Sequence, residues 1–339
     1  MKKIACAFLC LAAFLAAGCA SKWAMDVQPS EARRVWPQAP EKPRIRHLAT
    51  IGGFKERGTS LKMVIFGRGE DRLIRPVAVA TGGDGRIAVA DTGSKSVHLY
   101  IPKEEKYIGI LRFDAGEIAY PVSVAFDDEL RLYVSDSLQE KIAVFDRGGG
   151  YLFSIDRARD GVLKRPTGLA YDPGKKAVFA VDTASHRIHA FTPKGEPLFS
   201  FGERGSGNGQ FNFPTHIFRG PAGRIYVTDA MNFRVQIFDS AGRFITAFGR
   251  HGDGSGDFSM PKGVASDSEG TIYVVDTLFD NVQLFDEKGE FLLTLGSRGI
   301  GQGEFWMPSG IFIDGGDKLY VCDTYNQRIQ IFEIMRDGR

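Results

Sequence analysis

Apolar residues in this chain fall in short runs of four to six, rich in Val, Ile, Phe and Tyr, each broken by turn residues. One unit shows the pattern fully: residues 215–218, 224–228, 234–238 and 244–248 carry the runs, with Gly220, Gly223, Asn232 and Gly242 between them. β-branched and aromatic runs of this length, bounded by Gly and Asn, predict short strands rather than helices. The unit repeats six times. Each copy reads roughly Pro, then Gly-Val-Ala, a turn, Ile-Tyr-Val-x-Asp, Arg-Val-Gln-Ile-Phe-Asp, and an apolar run ending in Phe-Gly or Leu-Gly. The opening prolines are Pro76, Pro121, Pro166, Pro214, Pro261 and Pro308, spaced by 45, 45, 48, 47 and 47 residues. The acidic anchors are Asp91, Asp136, Asp182, Asp229, Asp276 and Asp323, spaced by 45, 46, 47, 47 and 47. Four strands per repeat at this period predict an all-β, six-bladed β-propeller, because each four-stranded sheet buries its faces only against neighbours.

The two ends of the pattern bear on closure. The sixth repeat runs out after Phe332 into a polar tail and lacks a fourth strand. Residues 44–51, with Ile45, Leu48 and Ile51, are the expected replacement, so the last blade is predicted to be closed by an N-terminal strand. Residues 61–66 are a rival for that edge and could instead form a short helix. The propeller is accordingly expected over residues 44–339. Residues 19–43 place Pro29, Pro37, Pro40 and Pro43 among charges without a period of 2 or 3.6. They are expected to be a Pro-rich, semi-rigid stalk, unless Trp23, Val27 and Trp36 pack on the domain or a membrane surface.

At the start of the chain, Lys2 and Lys3 precede a short apolar run, residues 4–17, that ends in small residues. This is a secretory signal, too short to span a bilayer. The small residues before Cys19 resemble the lipobox of bacterial lipoproteins, with Ala16 where Leu is usual and Leu15 one place earlier. The resemblance implies a signal peptide over residues 1–18 and lipid on Cys19. Ordinary cleavage, for instance after Ala20, is the alternative and would release the protein. Ala20 rather than Asp after the cysteine implies outer-membrane delivery facing the periplasm, provided the source is Gram-negative.

The repeats themselves resemble NHL repeats. The motif is best seen in Phe213-Pro214, Gly223 to Asp229, Asn232 and Arg234 to Asp239, and recurs at Gly270 to Asp276 and Lys318 to Asp323. It covers residues 44–339, most closely in the last three repeats. The family includes protein-binding scaffolds, RNA binders, sensor domains and a few lyases, so it implies a fold and leaves function open.

Residue types present in every repeat are read as structural. The six Asp residues are expected to accept bonds from backbone N–H groups in the following turn. Lys141, Arg187, Arg234 and Arg328 are assigned to the same local network. The glycine-dense stretches 202–209 and 249–256 lack Gly-Lys-Ser/Thr and a strand-to-helix context, so they are blade connections rather than phosphate loops. Departures from the repeat are the candidates for function. Two residues after each opening Pro stand Ala78, Ser123, Gly168, His216, Gly263 and Gly310. An imidazole among small residues at the start of an innermost strand is expected to face the central channel. There it either binds or protonates a ligand, or fills the mouth and bonds to water. A catalytic zinc would need two further ligands nearby, and the equivalent positions supply none. On one face of the disc, the loops of repeats four to six carry Met231, Phe233, Leu278, Phe279, Trp306 and Tyr325, where the first three repeats are mostly polar. Large apolar side chains on loops mark a contact surface, or else fold inward onto neighbouring blades.

Charge and cysteine content narrow the classes. The chain has 43 Lys and Arg against 41 Asp and Glu, for a net charge of +2. Removal of residues 1–18 takes away two lysines and no acid, leaving zero net charge. A neutral, exported domain fits poorly with nucleic-acid binding. With Cys6 and Cys10 in the signal and Cys19 the anchor, Cys322 is the one thiol left, so no internal disulfide is expected and the core must carry stability. Cys322 occupies a strand position shared with Ala90, Ser135, Val181, Thr228 and Val275, and is expected to be a small buried residue. The reading is a lipid-anchored, non-enzymatic scaffold for an envelope protein or glycan, bound through the loop face of blades four to six, with no cofactor, metal or nucleic acid. The alternative is a metal-dependent lyase or hydrolase with its site at the channel mouth near His216.

Overall fold

The structure is a computed structural model describing residues 21–31, 34–42, 44–57, 69–114 and 116–336. The signal segment, Cys19 and residues 61–66 lie outside the described residues. The chain has an all-β propeller fold with four-stranded blades. Five sheets are antiparallel four-stranded meanders, beginning with Pro76–Thr81, Pro121–Phe126, Pro166–Asp172, Pro214–Arg219 and Pro261–Ser266 as their inner strands. They are called sheets one to five. Sheet six begins with Ile311–Ile313 and continues through Lys318–Asp323 and Arg328–Ile334. The inner strands neighbour one another in ring order, Ile311–Ile313 lying between those of sheets five and one.

In each of sheets one to five, the opening Pro lies opposite the closing Asp of the second strand (Pro214 with Asp229, for example), and a register shift follows at once. Proline belongs at this place because a strand's first residue on the channel edge needs no ladder N–H. The second and third strands of sheet four, Ile225–Asp229 and Arg234–Phe238, are almost wholly buried, while its outer strand Phe244–Phe248 is half-exposed. The core is thus laid down between sheets. Where sheet three meets four, and four meets five, a Phe from the connecting loop packs beside two others. Phe211 lies 5.6 Å from Phe238, which is 5.0 Å from Phe201. Phe258, Phe285 and Phe248 repeat this one sheet on, at 5.5 and 4.7 Å. The preceding glycines, Gly202 and Gly249, have φ of +89° and +99°, and a Cβ on either would fall within 2.5 Å of the Phe211 or Phe258 ring.

Lys22–Pro29 and Val35–Trp36, expected to belong to a stalk, are part of the domain instead. Ile45–Arg57 pairs antiparallel with Arg328–Ile334, matching Ile45 to Ile334 and Ile51 to Ile329. Lys22–Pro29 pairs with the far side of Ile45–Arg57, and Val35–Trp36 pairs with it as well. The segment is ordered because it satisfies the open backbone edge of Ile45–Arg57. The Trp23 ring lies 4.8 Å from Tyr107 of sheet one, Trp36 is edge-on to Phe332 at 5.8 Å, and Val27 stays exposed. Among the described residues no helix is long and apolar enough to cross a membrane.

Candidate functional site

The six repeated carboxylates are buried fasteners. Asp91 accepts from the Ile74 and Arg75 N–H groups at 2.6 and 2.9 Å, and from Gly93 and Ser94 in the following turn at 2.8 and 3.1 Å. Asp136 and Asp276 do the same between Ala119 and Gln139 and between Ser259 and Phe279. The carboxylate therefore ties the turn after its own strand to the segment leading into the opening Pro. Burial, the largest influence on Asp91, pushes its pKa up, but the His98 ring and the Ile74, Arg75 and Ser94 N–H groups outweigh it, leaving about 2. In Asp276 and Asp323 burial wins and the pKa is raised. Arg234 and Arg328 join this network, at 2.8 and 2.7 Å from Asp229 and Asp323. Arg187 departs from it and pairs with Asp160 at 2.6 Å. Cys322 is fully buried and its thiol pKa is pushed up by that burial.

The ring of residues two places after the opening prolines points sideways, toward the next inner strand. A Cβ on Gly168 would meet the His216 backbone at 2.8 Å, and one on Gly310 the Val77 carbonyl at 2.3 Å, so these positions must be glycine. Where a side chain is present it bonds across the gap. Ser123 Oγ accepts from the Leu169 N–H at 3.1 Å, and His216 Nδ1 accepts from the Val264 N–H at 3.2 Å. One nitrogen of His216 is therefore a fastener between sheets four and five, a role the channel-facing expectation did not include. Burial lowers the His216 pKa to about 4, so the ring is neutral near pH 7. With Nδ1 accepting, the proton sits on Nε2, which has no hydrogen-bond partner among the described residues.

Two cavities lie along the propeller axis, and among the described residues His216 alone lines both. The inner one, about 220 Å³, is walled mainly by Ala, Val, Ile and Phe side chains of the inner strands. The outer one, about 490 Å³, opens on the face where the inner strands begin. Its wall holds Arg165, Lys262, Thr215 and Tyr120 with several other hydroxyls, and no carboxylate. Lys262 is half-buried, and its pKa is lowered first by burial and then by Arg165.

The apolar loop residues divide around this funnel. Met231 and Phe233 belong to its wall. Phe233 packs partly inward, its ring 4.4 Å from His251. Trp306 and Tyr325 pair with each other at 5.6 Å, and the Arg75 guanidinium lies 5.5 Å from the Tyr325 ring centre. Met231, Leu278, Trp306 and Tyr325 are 54, 53, 41 and 44% exposed, whereas Phe279 is half-buried. Leu278, Phe279, Trp306 and Tyr325 lie outside the funnel wall. Arg165 and Lys262 are not marked by variation at the third place of each inner strand, because they flank its opening Pro. The places either side of that Pro carry the signal: only Arg75 and Arg165 are basic before it, and only Lys262 after it.

Among the described residues no three His, Cys, Asp or Glu side chains converge to hold a metal ion. The walls of both cavities offer His216 as their one imidazole and no acid. The residues do not fit a metal there.

Comparison with known proteins agrees on the fold. A family model, DUF5128, described as a 6-bladed beta-propeller, matches residues 218–271 and 264–336. No curated protein sequence matches the chain. Among solved structures, a catalytically inactive variant of virginiamycin B lyase from Staphylococcus aureus with quinupristin is similar at 14% identity and a TM-score of 0.56, over 78% of this chain and 86% of that one. A selenomethionine form of the same lyase gives 13% and 0.56, over 77% and 95%. A streptogramin B lyase gives 11% and 0.57, over 78% and 94%. At such identities the likeness is one of fold.

Proposed function

We propose that the chain is an exported, non-enzymatic binding module of the cell envelope, anchored by lipid on Cys19. Its NHL-type propeller has six blades, the last completed by the N-terminal strand Ile45–Arg57, and it docks an envelope protein or glycan on the loop face of blades four to six. In a Gram-negative cell the anchor holds it in the outer membrane facing the periplasm. The observation that carries this reading is the exposure of Met231, Leu278, Trp306 and Tyr325 on loops of the face that surrounds the funnel. Aromatic and apolar anchors around a concavity are the composition of binding hot spots. The pairing of Ile45–Arg57 with Arg328–Ile334 supports closure from the N-terminal side.

The lyase or hydrolase alternative draws on the likeness to streptogramin-type lyases and on His216 lining the channel. It is the weaker reading, because the walls of both cavities hold no carboxylate, thiol or second imidazole beside His216.

The test is affinity capture from detergent-solubilised envelope, with the parent beside a Leu278→Ala/Trp306→Ala variant. Both side chains are exposed, so the variant should keep the parent's melting temperature. The expected result is a partner or glycan fraction retained by the parent and lost by the variant. Equal retention by both would refute docking on this patch.

A further inference from the structure

We infer that the outer funnel is a binding site for a small organic oxyanion, a carboxylate or phosphate carried on an apolar body. The inference rests on the reading of this face as a binding face and names what enters its centre. Three nitrogen groups in the wall can donate a hydrogen bond to an anion: the Arg165 guanidinium, the Lys262 ammonium and the Nε2–H of His216. None is answered by a carboxylate in the wall. Lys262 is lowered by burial and by Arg165, with no acid to offset them. A half-buried ammonium beside a second cation is unfavourable in the empty site, and an anion relieves both the repulsion and the desolvation.

The Thr215 Oγ1 beside His216 is buried from solvent without a hydrogen-bond partner among the described residues, so it faces protein rather than the funnel. Nearby hydroxyls are already engaged, Thr183 with the Pro214 carbonyl at 2.6 Å and Thr167 with Thr183 at 2.8 Å. His216 Nε2 has no hydrogen-bond partner among the described residues. Because burial keeps that ring neutral near pH 7, it offers a hydrogen bond without adding a third charge. The apolar part of the ligand is suited by Tyr120, Phe213, Met231, Phe233 and Met260 in the same wall. A funnel of about 490 Å³ is of the size that takes small molecules. Arg supplies a planar fork for two oxygens and Lys a movable point charge, a combination suited to carboxylate and phosphate alike.

Isothermal titration of the purified domain with sodium benzoate, inorganic phosphate and neutral benzamide, at constant ionic strength, tests this. Benzoate or phosphate should bind, and whichever binds tighter tells an organic acid from a phosphate source. Benzamide should not bind. Lys262→Met and Arg165→Gln should each weaken the anion by about tenfold or more, and together abolish it. Lys262→Met removes a poorly solvated charge, so its melting temperature should equal or exceed the parent's, which separates lost binding from lost folding. The inference falls if neither anion binds at millimolar concentration, if benzamide binds as well as benzoate, or if the double variant binds as the parent does. If it falls while Leu278 and Trp306 still govern capture, the docking face stands without it. If anions bind but capture ignores those two residues, docking fails and the funnel site stands.

Discussion

At the scale of single residues, carboxylates that look like a constellation for catalysis are spent on backbone. Each Asp closing a second strand is surrounded by N–H donors, and in two of them an imidazole seven residues later lowers the carboxyl pKa further. In sheets one and three the residue at that place is His98 or His189, 3.7 and 3.8 Å from Asp91 and Asp182. In sheets four to six it is Gln236, Gln283 or Gln330. The two histidines, which look scattered in the sequence, thus share one structural place. They coincide with lowered pKa values at Asp91 and Asp182, while Asp276 and Asp323 beside glutamines are raised. The sign of the linkage follows. The Asp91 carboxyl falls from 3.8 to about 2 on folding, so its contribution is present above pH 4 and is lost as pH drops toward 2. That contribution is on the order of 2 kcal/mol. Asp91→Asn should cost about 1–3 kcal/mol at pH 7, through donors left facing an amide. Between pH 4 and 2 its stability should fall less steeply than the parent's. Denaturant titrations at several pH values measure both, and an unchanged acid limb would remove Asp91 from the account.

At the scale of elements, the glycine-rich connections are held by the third strand of the following sheet. Gln283 Oε1 accepts from the Gly256 N–H at 2.9 Å while its Nε2 donates to the Asp257 carbonyl at 2.7 Å. Gln236 holds Gly209 and Gln210 the same way, and Gln330 holds Gly303 and Glu304. The glutamine in Arg-Val-Gln-Ile-Phe is therefore the clamp that seats the loop, and the loop in turn seats the Phe between two sheets. Gln283→Leu keeps the volume and removes both bonds. It leaves a buried N–H and C=O unpaired and should destabilise by about 1–3 kcal/mol. The loss should be local, with faster hydrogen exchange at the Gly256 amide ahead of the strands of sheet five. Exchange at that amide matching the parent would show that the loop is held by its own turns.

At the scale of the whole molecule, the propeller was legible because repetition reports architecture directly: a Pro to open and an Asp to close recur at one period. The funnel was not legible, since its wall is gathered from residues more than 200 apart, Val77 to Ser309, and each looks ordinary in its own repeat. The stalk was misread for a related reason. Lys22–Pro29 lacks a clean alternation, and its order comes from an edge that exists only once Ile45–Arg57 has paired with Arg328–Ile334. That pairing bears on how the ring holds. Ile45, Ile51 and Phe54 are fully buried, and burying each such side chain is worth about 1.5–3 kcal/mol. Phe54 also stacks on Tyr107 of sheet one at 4.7 Å, so the same strand spans the seam between the last sheet and the first. Across that seam Thr324 Oγ1 donates to the Pro76 carbonyl at 2.8 Å. Losing three such side chains removes about 5–9 kcal/mol, comparable with the whole stability of a typical domain. Two truncations separate seam from trim. A chain starting at residue 31 loses Lys22–Pro29 and the Trp23–Tyr107 contact. It should still melt in one transition, lower by about 2–4 °C for each kcal/mol lost. A chain starting at residue 58 should fail to give a cooperative melt and should aggregate through the exposed edge of Arg328–Ile334. A cooperative melt of the shorter chain near the parent's temperature would show that the ring closes without its N-terminal strand.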